Sequence, residues 1–175
     1  MGKQYASLTD TDIEFINNQK LFYIASCAKN EVNLSPRGYD SIHIIDNNTF
    51  YMMDMYGSGN RTARDIRDDG EITLVFNAFE GSPKILRCFC KGEVISKDSK
   101  EFKNISIHFN ESVDVIRQFL KFKIYAVETS CGMGVPVMEF KEQREHLRKS
   151  LAKIYKNDNL DEFVKKYESP ASLKF

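Results

Sequence analysis

An excess of positive charge is the first thing missing: 25 Lys and Arg face 25 Asp and Glu, so the formal net charge is zero. That balance excludes a general electrostatic nucleic-acid binder, leaving only a local basic patch open. Long apolar runs are also missing, and no stretch approaches the roughly 20 residues that a membrane span requires. The N-terminal Met-Gly-Lys-Gln-Tyr-Ala-Ser has no apolar core, so no secretory leader is expected. Cysteine is sparse. Cys27, Cys88, Cys90 and Cys131 form no Cys-x-x-Cys pair and have no clustered histidine beside them, which argues against a metal centre. They read as free thiols of a reducing, cytoplasmic protein. Tryptophan is absent, and the three histidines are scattered with no candidate Ser or Cys nucleophile near them in sequence. No hydrolytic triad is indicated, and no catalytic residue is assigned.

What is present fits one domain over residues 1–175, within the usual size of about 100–200 residues. Thr9 or Thr11 caps a short helix over Leu8 to Asn18, with Thr11 to Glu14 matching a capping box. Leu21 to Ala28 reads as a buried strand, and Val32 to Ser35 as a half-buried one whose ladder Pro36 ends. Ser41 to Ile45 and Phe50 to Met55 flank the turn signal Asp46-Asn47-Asn48, a hairpin. Arg61 to Asp68 reads as a helix closed by Asp69-Gly70. Glu71 to Ala78 and Lys84 to Ile95 are strands, with Gly92 marking a bend or bulge. Residues 98 to 119 carry helical spacing through Phe102, Ile105, Phe109, Val113 and Ile116. Lys121 to Thr129 alternates as the last strand. Residues 141–168 form two amphipathic helices packed on the rest. Hairpin-linked strands without regular crossover helices predict an α+β fold, a mainly antiparallel β-barrel with peripheral helices, rather than a doubly wound parallel sheet.

The stretch Tyr56 to Asp65 organises the chain. Gly57 and Gly59 permit unusual backbone angles, and Ser58 or Asn60 could cap the following helix. Arg61 falls in the first helical turn, where a cation is mildly disfavoured unless an anion shares the site. Amide N–H groups, hydroxyls and an Arg fork make a phosphate cradle. A plain polar loop with a solvated Arg is the competing reading. The spacing excludes both a Walker loop and the three-glycine dinucleotide fingerprint.

Two stretches combine, Val32-Asn33-Leu34-Ser35-Pro36-Arg37-Gly38 and Gly57-Ser58-Gly59-Asn60-Arg61-Thr62-Ala63-Arg64-Asp65-Ile66. Followed by Ile72 to Phe76 and Lys84 to Arg87, they resemble the pyridoxamine 5'-phosphate oxidase-like family of flavin-binding split barrels. The likeness runs from about residue 20 to 140. Ser130-Cys131-Gly132-Met133-Gly134-Val135-Pro136 resembles a poorly characterised branch of it. The resemblance implies a split barrel that forms a homodimer, with FMN in clefts between the subunits and a small-molecule substrate. Arg61 and Thr62 match positions that hold the FMN phosphate, although the family's oxidases commonly carry Lys where Thr62 stands. Tyr56 and the loop Gly57, Ser58, Gly59 and Asn60 match positions along the ribityl chain and phosphate. Asn33, Ser35, Pro36 and Arg37 match the edge strand beside the isoalloxazine, and Arg37 stands where the oxidases place a Lys that meets the substrate phosphate. Arg87 matches a strand position that contacts the flavin from the other side. Ser130, Cys131, Gly134 and Val135 fall on the substrate or partner-subunit side. The Arg-x-His segment with which vitamin-oxidising members grip their substrate has no counterpart in Ser169 to Phe175.

The resemblance implies an FMN-dependent oxidoreductase passing hydride through flavin N5 to or from an unknown substrate. A non-catalytic flavin carrier uses the same cradle and stays open, as does a deazaflavin-binding barrel. Heme lacks a well-placed axial ligand, since His43 lies on a strand.

Overall fold

A computed structural model describes residues 2–57, 59–157 and 159–167. Among them, eight strands and five helices follow in the order β1 (Lys3–Tyr5), α1 (Asp10–Asn18), β2 (Phe22–Ala28), β3 (Glu31–Arg37), β4 (Ile42–Asp46), β5 (Thr49–Met55), α2 (Arg61–Arg67), β6 (Glu71–Asn77), β7 (Ile85–Ser96), α3 (Lys100–Ser106), β8 (Ile116–Ser130), α4 (His146–Lys156) and α5 (Leu160–Tyr167). Every strand pair is antiparallel. The sheet runs β3-β2-β6-β7-β8-β5-β4, with β1 added beside the far end of β8. Hydrogen bonds do not close the path, so the fold is an α+β split barrel with peripheral helices.

Two apolar cores sit on either side of β5 and β8. Phe50 and Met52 of β5 and Leu120, Phe122 and Ile124 of β8 join the first core, around Ile24, Leu74 and Phe76. Met53 and Met55 of β5 and Ile116 and Phe119 of β8 join the second, with Phe102 and Ile105 of α3 and Leu151 of α4. β5 and the first residues of β8 therefore bury both faces, while Lys123 and Tyr125 farther along β8 are exposed. Leu147, Ile154, Leu160, Phe163 and Val164 of the last two helices pack against the second core.

Several expectations are corrected. The cap of α1 is Thr9, not Thr11, and its box partner is Asp12, whose carboxylate accepts from the Thr9 amide and hydroxyl. Pro36 does not end its strand; it pairs opposite Tyr23, which an edge strand tolerates because one side needs no amide donor. The chain turns after β3 through Tyr39 and Asp40, both at positive φ. Asn60 is the N-cap of α2 but makes no side-chain cap hydrogen bond. At the other end of α2 the left-handed residue is Asp69, at φ 54°. Gly70 is needed for a different reason: a Cβ there would lie 2.7 Å from the carbonyl oxygens of both Asp65 and Cys27.

Gly92 is not a bulge either. Its missing Cβ lets Ile66 of α2 lie against β7, since an added methyl would sit 2.6 Å from the Ile66 side chain. The irregularity lies two residues earlier, where Phe89 and Cys90 face Ala126 and Ile124 and leave Tyr125 as the extra residue of β8. Strict alternation therefore breaks there, and Val127, not Ala126, is fully buried. Helical spacing holds only for Phe102 and Ile105; Ile116 and Phe119 lie on β8, where burial on both faces mimics a helical pattern.

Candidate functional site

The loop from Tyr56 to Asn60 leaves β5 beside the end of β3, and α2 carries Arg61 and Thr62 back over β2. Thr62 is buried, and its hydroxyl accepts from Asn33 Nδ2 at 3.3 Å. The same amide donates to Ser26 Oγ at 3.0 Å, and Ser26 donates to the fully buried Asp65 at 2.6 Å. These bonds fix α2 against β2 and β3. Glu31 of β3 meets two guanidinium groups, Arg61 at 3.3 Å and Arg64 at 2.8 Å, and Arg64 also holds Asp65 at 2.7 Å.

A second network lies on the Arg37 side. Asp54 is 1% exposed and forms an ion pair with Arg37 at 3.5 Å. Gln118 Nε2 donates to Asp54 at 2.8 Å and to the buried Asn60 side chain at 3.1 Å, while Arg67 Nη2 donates to Gln118 Oε1 at 2.9 Å. Arg117 donates to the Gly57 carbonyl and lies over the Tyr56 ring. Burial pushes the Asp54 carboxyl above its ordinary range, against the pull of Arg37, Arg117 and the Gln118 bond. Burial also pushes the Arg117 guanidinium down, opposed by Asp54, and the Tyr56 phenol up, opposed by Arg117.

Thus Asn33 and Thr62 are brought together, and Asn60 is joined through Gln118 and Asp54 to Arg37. Pro36, Arg37, Tyr56, Gly57 and Gly59 share a cavity of about 270 Å³, also walled by Met53 and Met55. Nothing lies within 4 Å of where a Cβ would stand on Gly57 or Gly59, so the loop backbone faces open space. Ser35 pairs with Ile24 on β2, and Ser58 lies outside the described residues.

Arg87 is elsewhere. It bonds Glu128 at 3.4 Å and Ser130 Oγ at 3.1 Å across β7 and β8. Ser130 and Cys131 border a different cavity, beside Tyr5, Asp12 and Lys84. Val135 closes a turn by donating to the Gly132 carbonyl, with Gly134 inside it. Sequence reasoning passed over Asp54, Gln118, Arg67 and Arg117. A lone carboxylate in the Met-rich run of β5 was the available signal for Asp54; Gln118 and Arg117 were hidden by the helical spacing assigned to that stretch.

Comparison with known proteins identifies the family and the fold. The family model described as pyridoxamine 5'-phosphate oxidase matches residues 8–131, more than half of the chain. The pyridoxamine 5'-phosphate oxidase family protein ustO of Aspergillus flavus is 29% identical over 140 residues, covering 77% of this chain. The match spans 56% of that protein, so the chain accounts for about half of its length. A candidate pyridoxamine 5'-phosphate oxidase from Lactobacillus delbrueckii shares the fold, with a TM-score of 0.56 at 16% identity over 69% of this chain and 93% of that one. HupZ from Group A Streptococcus does so with a TM-score of 0.54 at 17% identity over 69% and 92%. The chain belongs to the pyridoxamine 5'-phosphate oxidase family.

Proposed function

We propose that this chain is an FMN-binding oxidoreductase, working as a homodimer in the reducing cytoplasm as one unit over residues 1–175. The observation that carries the reading is a local surplus of cation. Around Glu31, Asp65 and Asp54 gather the guanidinium groups of Arg37, Arg61, Arg64, Arg67 and Arg117. Guanidinium groups outnumber carboxylates there, a setting that suits the negative charge of a phosphate monoester. The chain as a whole is neutral, so this surplus is built locally.

In this reading Arg61 and the Thr62 hydroxyl hold the phosphate, with Asn33 orienting Thr62 and the Gly57 to Asn60 backbone, Ser58 included, lying along the ribityl chain. Tyr56, Ser35, Pro36 and Arg37 border the ring. When bound, the flavin supplies hydride transfer at N5. Arg37 places a fixed positive charge beside the ring, which favours the reduced, anionic form. Arg87, Ser130, Cys131, Gly134 and Val135 lie away from their own chain's Arg37 cavity, and we assign them to the cofactor cleft of the second subunit. Val32 and Leu34, 74% and 62% exposed on the edge strand β3, are the apolar surface a second copy would cover. All four cysteines carry free thiols, in keeping with a reducing compartment. Among the described residues no helix is long and apolar enough to cross a membrane.

The test is the absorption spectrum of the purified protein, with chromatography of the released chromophore. FMN at near one per subunit supports the reading; a colourless protein that ignores added FMN, or one that releases a deazaflavin, overturns it. Arg61→Ala is expected to weaken FMN binding by about 1.5–3 kcal/mol in calorimetric titration, the range for a charged hydrogen bond.

A further inference from the structure

A second cavity, of about 760 Å³, shares the wall Pro36 to Tyr39 with the smaller one beside the Gly57 loop. Its roof is a strap, residues 138–144, in the irregular stretch between β8 and α4. The strap is pinned at both ends. The Met138 amide donates to the Phe79 carbonyl at 2.9 Å, and the Tyr39 hydroxyl donates to the Arg144 carbonyl. Midway, the Phe140 amide donates to Glu80 at 3.2 Å. Leu21, Pro36, Tyr39 and Phe79, with Met138 and Phe140 of the strap, give the chamber an apolar and aromatic lining.

The charged groups around it divide by burial. Lys20, Glu80, Glu139, Glu142 and Arg144 are exposed and form a solvated rim of mixed sign. Arg37 alone among the charged lining residues is drawn inside, its side chain 19% exposed and its back held by Asp54. One inward guanidinium, already shared with a buried carboxylate, suits a single negative charge better than a phosphate dianion. A chamber of this volume is of the size that encloses small ligands, about 300–1,000 Å³.

We infer that this chamber binds an aromatic or apolar acid bearing one carboxylate, with the carboxylate on Arg37 and the body between Phe79 and the strap residues Met138 and Phe140. Its role as the substrate chamber of the flavin reaction rests on the function proposed above; the binding itself does not.

The full-length protein as purified, loaded with FMN where it takes it, is titrated calorimetrically with naphthoate, naphthyl phosphate and naphthalene methanol. Naphthoate is expected to bind most tightly, and to perturb the flavin absorption band through the shared wall. Phe140→Ala, on an exposed irregular segment that the cores do not depend on, should weaken naphthoate about tenfold, as loss of a large aromatic contact does. Arg37→Gln should bring naphthoate down to the affinity of the alcohol, and if that variant does not fold, Phe140→Ala with the three probes decides alone. Tighter binding of naphthyl phosphate, absence of naphthoate binding, or an affinity unchanged by Phe140→Ala overturns the assignment. A protein that takes no FMN yet binds naphthoate on these terms keeps the chamber and loses only the flavin reading.

Discussion

Two buried aspartates hold this molecule together with opposite dependence on pH. Asp12, 2% exposed, is pushed up by burial, but the bonds from Lys84 at 2.8 Å, Thr9 and Tyr5 outweigh that and hold it below the ordinary carboxylate range. A carboxyl whose folded value is depressed stabilises the fold above its unfolded value and loses that contribution as pH falls through the folded one. Asp54 is the reverse, because its burial outweighs Arg37, Arg117 and Gln118 and its value is raised. Its contribution is fully present below the ordinary carboxylate range and is lost as pH rises through the raised value. Chemical denaturation of Asp12→Asn and Asp54→Asn across pH therefore separates them. The stability gap between wild type and Asp12→Asn should close on acidification below the ordinary aspartate range. The gap for Asp54→Asn should shift in favour of the variant as pH rises from that range. Parallel curves for both variants would mean that neither carboxyl titrates differently on folding.

At the scale of elements, α2 is seated not only on β2 and β3 but also on β7, where Ile66 fills the space above Gly92. Gly92→Ala puts a methyl 2.6 Å from that side chain and should cost about 1–3 kcal/mol, the usual penalty of overpacking. In the Ile66→Ala background the same change should cost less, so the double variant loses less than the sum of the two singles in denaturant unfolding; additivity would place the conflict elsewhere. Gly92 also illustrates what was legible. The residue was recognisable as special, but a bulge and a close helix approach leave the same mark in sequence, and only the fold separates them. Strands β2 to β7 stood out because one face or both are apolar over short, turn-bounded runs. Of β8, Lys121 to Thr129 stood out as well, but Ile116 to Leu120 did not, since Phe119 and Leu120 enter different cores and make a run that reads with helical spacing. Among the candidate site residues, Arg61 and Thr62 fall in the Gly-rich loop stretch, whereas Asn33 and Arg37 were named through the family resemblance. Asp54 and Gln118 belong to no local motif: they meet across β5 and β8 at 64 residues' separation.

In the whole molecule, strand β5 lies inside the sheet and buries both faces, so it cannot serve as an association surface. The edge strand β3 can. Its parity divides Asn33, Ser35 and Arg37, turned toward α2, β2 and Asp54, from Val32 and Leu34, which face outward. A single strand thus borders the proposed cofactor site with one set of side chains and offers an apolar surface with the other. If FMN lies between subunits, association and cofactor binding are linked, and losing one should weaken the other. Leu34→Glu adds a charge to the outward face without touching the networks around Asp54 or Asp65. It should sediment as a monomer and retain little FMN. Arg61→Ala should also lose FMN affinity but sediment as a dimer at high protein concentration, because its side chain lies on the other face. Leu34→Glu that remains a dimer with full FMN would remove β3 from the interface. A monomer that still binds FMN one to one would place the whole cofactor site within a single chain, and Arg87 and Cys131 would then have no part in it.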